Sequence, residues 1–446
     1  MHRNGKAVGT ELGLLTERAR REPKSKFTSL AHLLNEEYLA CCFEELRKQA
    51  SPGVDGVTYE EYSKELSKNL GDLVNRMKAG QYRPQPVRRV YIPKDEKSKR
   101  PLGIPALEDK IVQMGITRIL EAIFEVEFLD VSYGFRRGRG CHQALQELAD
   151  GIRSNPVNYV VDADIKGFFD SVDHKRLMEC LGVRIVDRNF LRLVVRFLKA
   201  GVMEEGKYVK TERGTPQGGN LSPILSNIFL HYVLDRWMER TLKPTLKGYA
   251  ALYRYADDFV ICVQAEEEAK KILEEIEERF RKVGLSLSEE KTRLVTFGRY
   301  AVKNAARRGE KPGTFDFLGF THFDDKTRRG GYKVGRATSR KKFRQKMKAM
   351  NEWLKAVRCT GQMRDWWSIL EAKVLGHYHY YGVSGNWEAL QRYYEGVRRM
   401  VYKWLGRRSQ KKRYNWERFQ QYLDRHPIPR PKIHHNLYTL SMVRGV

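Results

Sequence analysis

The stretch from Ala251 to Val263, ALYRYADDFVICV, sets two short apolar runs on either side of Ala256, Asp257 and Asp258. β-forming residues interrupted by a brief polar step read as a hairpin with paired carboxylates at its turn. Adjacent aspartates in a core hairpin repel each other. A divalent cation turns that repulsion into affinity, and Mg²⁺ is the hard cation that carboxylate oxygens suit. Taken alone, such a pair reads first as a solvated turn.

Three further segments change that reading. NYVVDADIKGFFDSVDH, residues 158–174, alternates as a strand through Asp164 and then leaves it, so Asp164 can lie beside the hairpin. Two Mg²⁺ ions bridged by such carboxylates, about 3.5–4 Å apart, serve in-line phosphoryl transfer. GTPQGGNLSPILSNIFL, residues 214–230, has Gly218 and Gly219, which let backbone approach a ligand closely, and then Ser222-Pro223, which opens a helix. YIPKDEKSKRPLGIP, residues 91–105, reads as strand–loop–strand with Lys94 and Arg100 placed for a triphosphate. By itself a basic hairpin is only a solvated face.

Outward from these segments the chain reads as helices mixed with strands. FTSLAHLLNEEYLACCFEELRKQA (27–50) and residues 58–79 have helical spacing, separated by the turn at Ser51–Gly56. RRVYIPK (88–94) is a strand ended by Pro93, and a helix is expected over Glu108–Phe128. AEEEAKKILEEIEERFRKVG (265–284) is an amphipathic helix with apolar Ile272, Leu273, Ile276 and Phe280, stopped by Gly284. Strands and helices through residue 325, then helices, predict an α+β body with a mostly helical appendage.

The chain has 446 residues, 41% hydrophobic and 11% aromatic, enough for two or three packed domains and too much for wholesale disorder. Its 83 basic and 55 acidic residues leave a net charge of +28, which points to a polyanionic partner. Residues 326–446 hold 29 Lys/Arg against 7 Asp/Glu, a net of +22, and six of the seven tryptophans. Basic residues interleaved with aromatics suit phosphates and unpaired bases; the plainer reading is a helical domain with an aromatic core. Cys41, Cys42, Cys141, Cys180, Cys262 and Cys359 form no CxxC pair, so reduced thiols are expected, neither disulfides nor a zinc site. With no signal-like N-terminus and no long apolar run, no membrane association is expected and the location reads as cytoplasmic, bound to nucleic acid.

In this order, the segments resemble the reverse transcriptases encoded by bacterial group II introns, over nearly the whole chain from about Ser51. KRPLGIPALEDKIVQ (99–113) is similar to the family's fingers segment and YGFRRGRGCHQAL (133–145) to its next block. DADIKGFFD, TPQGGNLSP and RYADD resemble the palm aspartate, nucleotide-pocket and metal-hairpin blocks. GLSLSEEKT (284–292) and FDFLGF (315–320) resemble the last two palm blocks, and VLGHYHYYGVSGN (374–386) the maturase, or X, domain that serves as thumb.

The resemblance implies a right-hand polymerase: an N-terminal extension (1–75), fingers and palm with an antiparallel sheet (76–325), and a helical thumb/maturase X domain (326–446). It implies two Mg²⁺ ions, with Mn²⁺ as an alternative, on Asp164, Asp257, Asp258 and the Ile165 carbonyl. Phe169 would gate the sugar, with packing beside Phe168 as the plainer reading. Gln217 and Ala256 would line the nucleotide, Lys94 and Arg100 would clamp the triphosphate, and Lys291 would lie near the primer. RNA contacts are expected at Arg407, Arg408, Lys411, Lys412 and Arg413. The implied partners are group II intron RNA, an RNA template with a DNA primer, a DNA target and dNTPs. Gly376-His377, where many relatives have Gly-Trp, resembles short members lacking an endonuclease, and the DNA-binding and HNH modules of longer relatives are not expected. A recruited role in defence or repair, or a non-enzymatic splicing factor, stays open as an alternative; oligomeric state is not legible.

Overall fold

A computed structural model describes residues 2–93, 99–215, 218–309, 311–360, 362–408 and 415–438. Its elements are α1 (His2–Arg21), α2 (Glu36–Glu44), α3 (Tyr59–Ser63), α4 (Leu66–Lys78), β1 (Val87–Pro93), β2 (Lys99–Ile104), α5 (Leu107–Phe124), α6 (Cys141–Ser154) and β3 (Tyr159–Asp164). There follow α7 (Phe168–Ser171), α8 (His174–Gly182), α9 (Arg188–Leu198), β4 (Val202–Glu204), β5 (Lys207–Val209), α10 (Leu221–Leu230), β6 (Ala250–Tyr255), β7 (Asp258–Val263), α11 (Glu266–Arg281) and β8 (Arg293–Thr296). The last are α12 (Arg299–Arg308), β9 (Phe315–Phe317), β10 (Phe320–Lys326), β11 (Tyr332–Thr338), α13 (Arg340–Val357), α14 (Met363–Tyr381), α15 (Trp387–Leu405) and α16 (Trp416–Arg425).

The central sheet, in the order β6-β7-β3-β8, is antiparallel throughout and carries a core on each face. Alternation sorts its side chains. Val161, Ala163, Phe259 and Ile261 join the core built by α2, α5, α10 and α11, while Val160, Val260 and Cys262 join a second core shared with α6, β9, β10, β11 and the C-terminal helices. A second sheet has the order β2-β1-β4-β5; β1 pairs antiparallel with β2, which carries Arg100, so both strands expected within residues 91–105 are present. All six cysteines are free thiols, and among the described residues no helix is long and apolar enough to cross a membrane.

Several elements depart from the sequence reading. Residues 27–50 are not one helix: Phe27 bridges Ile185, a single tight turn covers Ala31–Leu33, and only Glu36–Glu44 is α-helical. The reason lies 156 and 157 residues away, where Asp187 accepts the Ala31 and Leu30 N–H groups at 2.9 and 2.7 Å, holding that backbone out of the helix. Helix α1 had no counterpart in the sequence reading. Buried Arg184 secures its C-terminal end, donating to the Ala19 carbonyl in the last turn and to the Glu22 and Ser25 carbonyls just beyond it while pairing with Glu127. Near the other end, the β10–β11 hairpin runs through Lys326, so the helical part begins at Arg340. There Trp366, Trp367 and Trp404 are buried, and Trp387 and Trp416 are the exposed ones. The tail's tryptophans thus mostly build its core, as burial of large aromatics favours.

Candidate active site

Register decides the site. β3 pairs with β7 so that Asp164 stands directly opposite Asp258, while β6 closes onto β7 with Tyr255 opposite Asp258. The intervening turn is Ala256-Asp257. Ala256 has φ +58°, the sign that the first turn residue of a type II′ hairpin requires and that usually selects glycine. Gly134 abuts this turn so closely that a Cβ there would lie 2.5 Å from the Ala256 nitrogen. The segment 286–288 flanks the other side: Ser288 N donates to the Asp164 carbonyl at 2.8 Å, and Ile165 bridges Leu287. Lys291, carried on that segment, reaches Asp164 Oδ2 at 2.6 Å.

Negative charge is concentrated here beyond what the strands tolerate unaided. Asp162, on the same side of β3 as Asp164, is raised by burial and drawn back by Arg293, whose Nε lies 3.0 Å away. Burial, and then the charges of Asp257, Asp162 and Asp164, push the Asp258 carboxyl up to about 7. Such a set favours a cation, and the oxygen-only donors fit Mg²⁺. Among the described residues no three His, Cys, Asp or Glu side chains converge as a closed cage. That is compatible with Mg²⁺, which keeps several waters and takes one or two carboxylates together with substrate phosphates.

The segment that follows Asp164 packs against the backbone at Gly214 and Thr215. Phe169 is half-buried, edge-on to Phe168 at 5.4 Å, and its carbonyl accepts the Thr215 N–H at 2.7 Å. Gly214 (φ +84°) permits that contact, since a Cβ would fall 2.7 Å from the Phe169 oxygen. Gly218 (φ +111°) does what glycine was expected to do, but toward protein: its missing Cβ faces the Gly103 carbonyl of β2 at 2.7 Å. Lys94, Gln217, Lys411, Lys412 and Arg413 lie outside the described residues.

A cleft of about 860 Å³ opens over Asp258. Arg100 of β2 and Tyr255 line it together with Lys342 and Lys346 of α13 and Lys373 and His377 of α14. His377 stacks flat on Tyr393 at 3.6 Å, and burial, with Lys346 adding its charge, presses the imidazole down to about 3. Arg407 and Arg408 are exposed, Arg407 lying over Trp404, and neither lines this cleft. The sequence reading did not assign Tyr255, Lys342, Lys346, Lys373 or His377 to the site. The signal for two of them was KKFRQKMK (341–348), whose Lys342 and Lys346 share a helix face at i,i+4.

Residues 92–322, half of the chain, match the family described as reverse transcriptase (RNA-dependent DNA polymerase). The chain is 36% identical over 290 residues to the group II intron-encoded protein LtrA of Lactococcus lactis subsp. cremoris, covering 62% of this chain and 48% of the relative. It is 35% identical over 301 residues to the protein YkfC of Escherichia coli (strain K12), covering 58% of this chain and 78% of that protein. A putative COX1/OXI3 intron 1 protein of Saccharomyces cerevisiae is 28% identical over 315 residues, 60% of this chain and 37% of the relative. The chain thus spans about half the length of the intron-encoded protein it matches. With its palm-like sheet, facing aspartates and basic cleft, the chain belongs to the reverse transcriptase family.

Proposed function

We propose that this protein is an RNA-directed DNA polymerase that binds its group II intron RNA, assists its splicing and copies it into DNA from a primer 3′-OH. The observation that carries this reading is Asp258, set opposite Asp164 in the sheet and lining a cleft whose walls bring cations from β2, α13 and α14. The family generally uses divalent metal ions; here Asp164, Asp257, Asp258 and the Ile165 carbonyl would hold two Mg²⁺. Bound there, such ions would supply positive charge to offset the charge that develops as the 3′-oxygen attacks the α-phosphate and pyrophosphate departs. The chain's own part is positioning and electrostatics. Arg100, with Lys94, neutralises the triphosphate. Phe169 packs under the sugar, and Gln217 and Ala256 bound the nucleotide. Lys342, Lys346 and Lys373 neutralise phosphates of the primer–template duplex, and Lys291 lies at the primer side of Asp164. Relatives named for group II introns support intron RNA as the partner, and the DNA target, dNTPs and the tail contacts belong to the same proposal.

The test is extension of a DNA primer on an RNA template with Mg²⁺. Asp257→Asn or Asp258→Asn should abolish extension and leave RNA affinity near the parent value. Parent-like extension by either variant would remove the metal assignment, and no extension by the parent protein would remove the polymerase reading.

A further inference from the structure

Arg254 is completely buried beneath the Ala256-Asp257 turn. Its Nε and Nη2 donate to the two oxygens of Asp235 at 2.7 and 2.6 Å, a bidentate pair in which neither side chain reaches solvent. Its Nη1 donates to Asn227 Oδ1 at 3.1 Å and to the Ala256 carbonyl at 2.8 Å. Asn227 Nδ2 in turn donates to the Gly134 carbonyl at 2.8 Å, on the backbone that abuts the turn. The guanidinium thus joins both lines of support that hold the turn.

The helix beneath is shaped for this. Asn227 belongs to α10, and Asp235 to a π-helical turn, His231–Asp235, that continues it. Eight residues of regular α-helix would carry Asp235 about 80° round from Asn227. A wider π turn takes up that drift, so both side chains reach one guanidinium; such turns recur at functional sites. His231, 4.0 Å from Asp235, is pressed down to about 3 by burial and then by the Arg254 charge, so it brings no second cation to the carboxylate.

For the core alone, a buried ion pair is a poor device, because apolar residues of similar volume serve as well or better. What an apolar pair would lack is a donor to the Ala256 carbonyl. We propose that Arg254, oriented by Asp235 and Asn227, is a positioning residue for the metal-binding aspartates: it holds the turn in its left-handed conformation and so fixes where Asp257 and Asp258 point. This rests on the polymerase reading of the same site.

Arg254→Lys tests it, since an ammonium keeps the charge but not the fork that spans Asp235, Asn227 and Ala256. Removing a supporting hydrogen bond of this kind should raise the Mg²⁺ concentration for half-maximal extension, and weaken Mn²⁺ binding measured by calorimetry, by about tenfold. Primer–template affinity should stay at the parent value, and excess Mg²⁺ should restore most of the rate. Arg184→Lys is the control: this arginine is also buried, and its ion pair with the partly exposed Glu127 supports α1 and touches no part of the turn. It should lower the melting temperature and leave both metal readouts unchanged. If Arg254→Lys does not fold, Asn227→Ser, which keeps the Arg254–Asp235 pair, should shift both readouts in the same direction. Parent-like metal requirements in whichever variant folds, or an equal shift in Arg184→Lys, would overturn the inference. Mn²⁺ calorimetry on parent and variant still decides it if the parent protein extends no primer.

Discussion

Asp257 and Asp258, which alone read as a solvated turn, were readable as a candidate metal pair once the other segments were set beside them, and Asp164 because an apolar strand leads into it. The same could not be said of Arg254, whose partners lie 19 and 27 positions back along the chain. Phe169 keeps both of its readings: it is half-buried against Phe168 and follows Asp164 by five residues. If it gates the sugar, Phe169→Val should raise ribonucleotide incorporation relative to deoxynucleotide in single-nucleotide extension; an unchanged ratio in a folded variant returns it to packing. Asp109 gives a pH prediction. Buried, it accepts the Tyr82 hydroxyl and the Gln85 N–H, and burial pushes its carboxyl up to about 7 despite both bonds. The folded state therefore holds a proton that the unfolded chain releases near pH 4. Stability from this group is greatest below that pH and falls by up to about 1.4 kcal/mol per unit until about pH 7. Melting of Asp109→Asn should lack this decline, measured against the parent from pH 4.5 to 7.5.

Elements with strong periodicity and local stops came through. The helix expected from Ala265 runs Glu266–Arg281, and Gly284 at φ +78° follows it. The strand ending at Pro93 and the helix entered at Ser222-Pro223 also fall where local chemistry places them. Residues 27–35 did not, because Asp187 competes for their N–H groups and wins. At Gly218 the close approach is to protein, the Gly103 carbonyl of β2. Gly218→Ala would press a Cβ to 2.7 Å from the Gly103 carbonyl at φ +111°, a conformation that L residues rarely adopt. Extension should fall with dNTP affinity affected more than primer–template affinity, read as KM for dNTP against Kd for duplex. On α13, Lys342→Glu with Lys346→Glu should weaken duplex binding and flatten the log K versus log salt slope by about 0.7–0.9 for each phosphate no longer neutralised. Unchanged affinity would place the duplex elsewhere.

At the scale of the whole molecule, the basic residues of 326–446 are not confined to the cleft. Lys342, Lys346 and Lys373 line the cleft, whereas Arg407 and Arg408 stand outside it. If the latter hold intron RNA, reversing Arg407, Arg408, Lys411, Lys412 and Arg413 together should weaken structured-RNA binding and shallow its salt slope, while extension on a short primer–template stays at the parent rate. Loss of both activities together would mean that one surface serves both.

By itself the sequence determined the family resemblance, the choice of the three aspartates as candidates, the basic balance and the helices that stop on their own residues, because each is written in near neighbours. Tertiary structure alone decided that Asp164 stands opposite Asp258, that α13 and α14 roof the site with cations, that tail tryptophans mostly pack inward, and that Arg254 supports the turn. Strand register, helix docking and the pairing of buried charge depend on interactions between residues far apart in the chain, and composition and local periodicity carry no record of them.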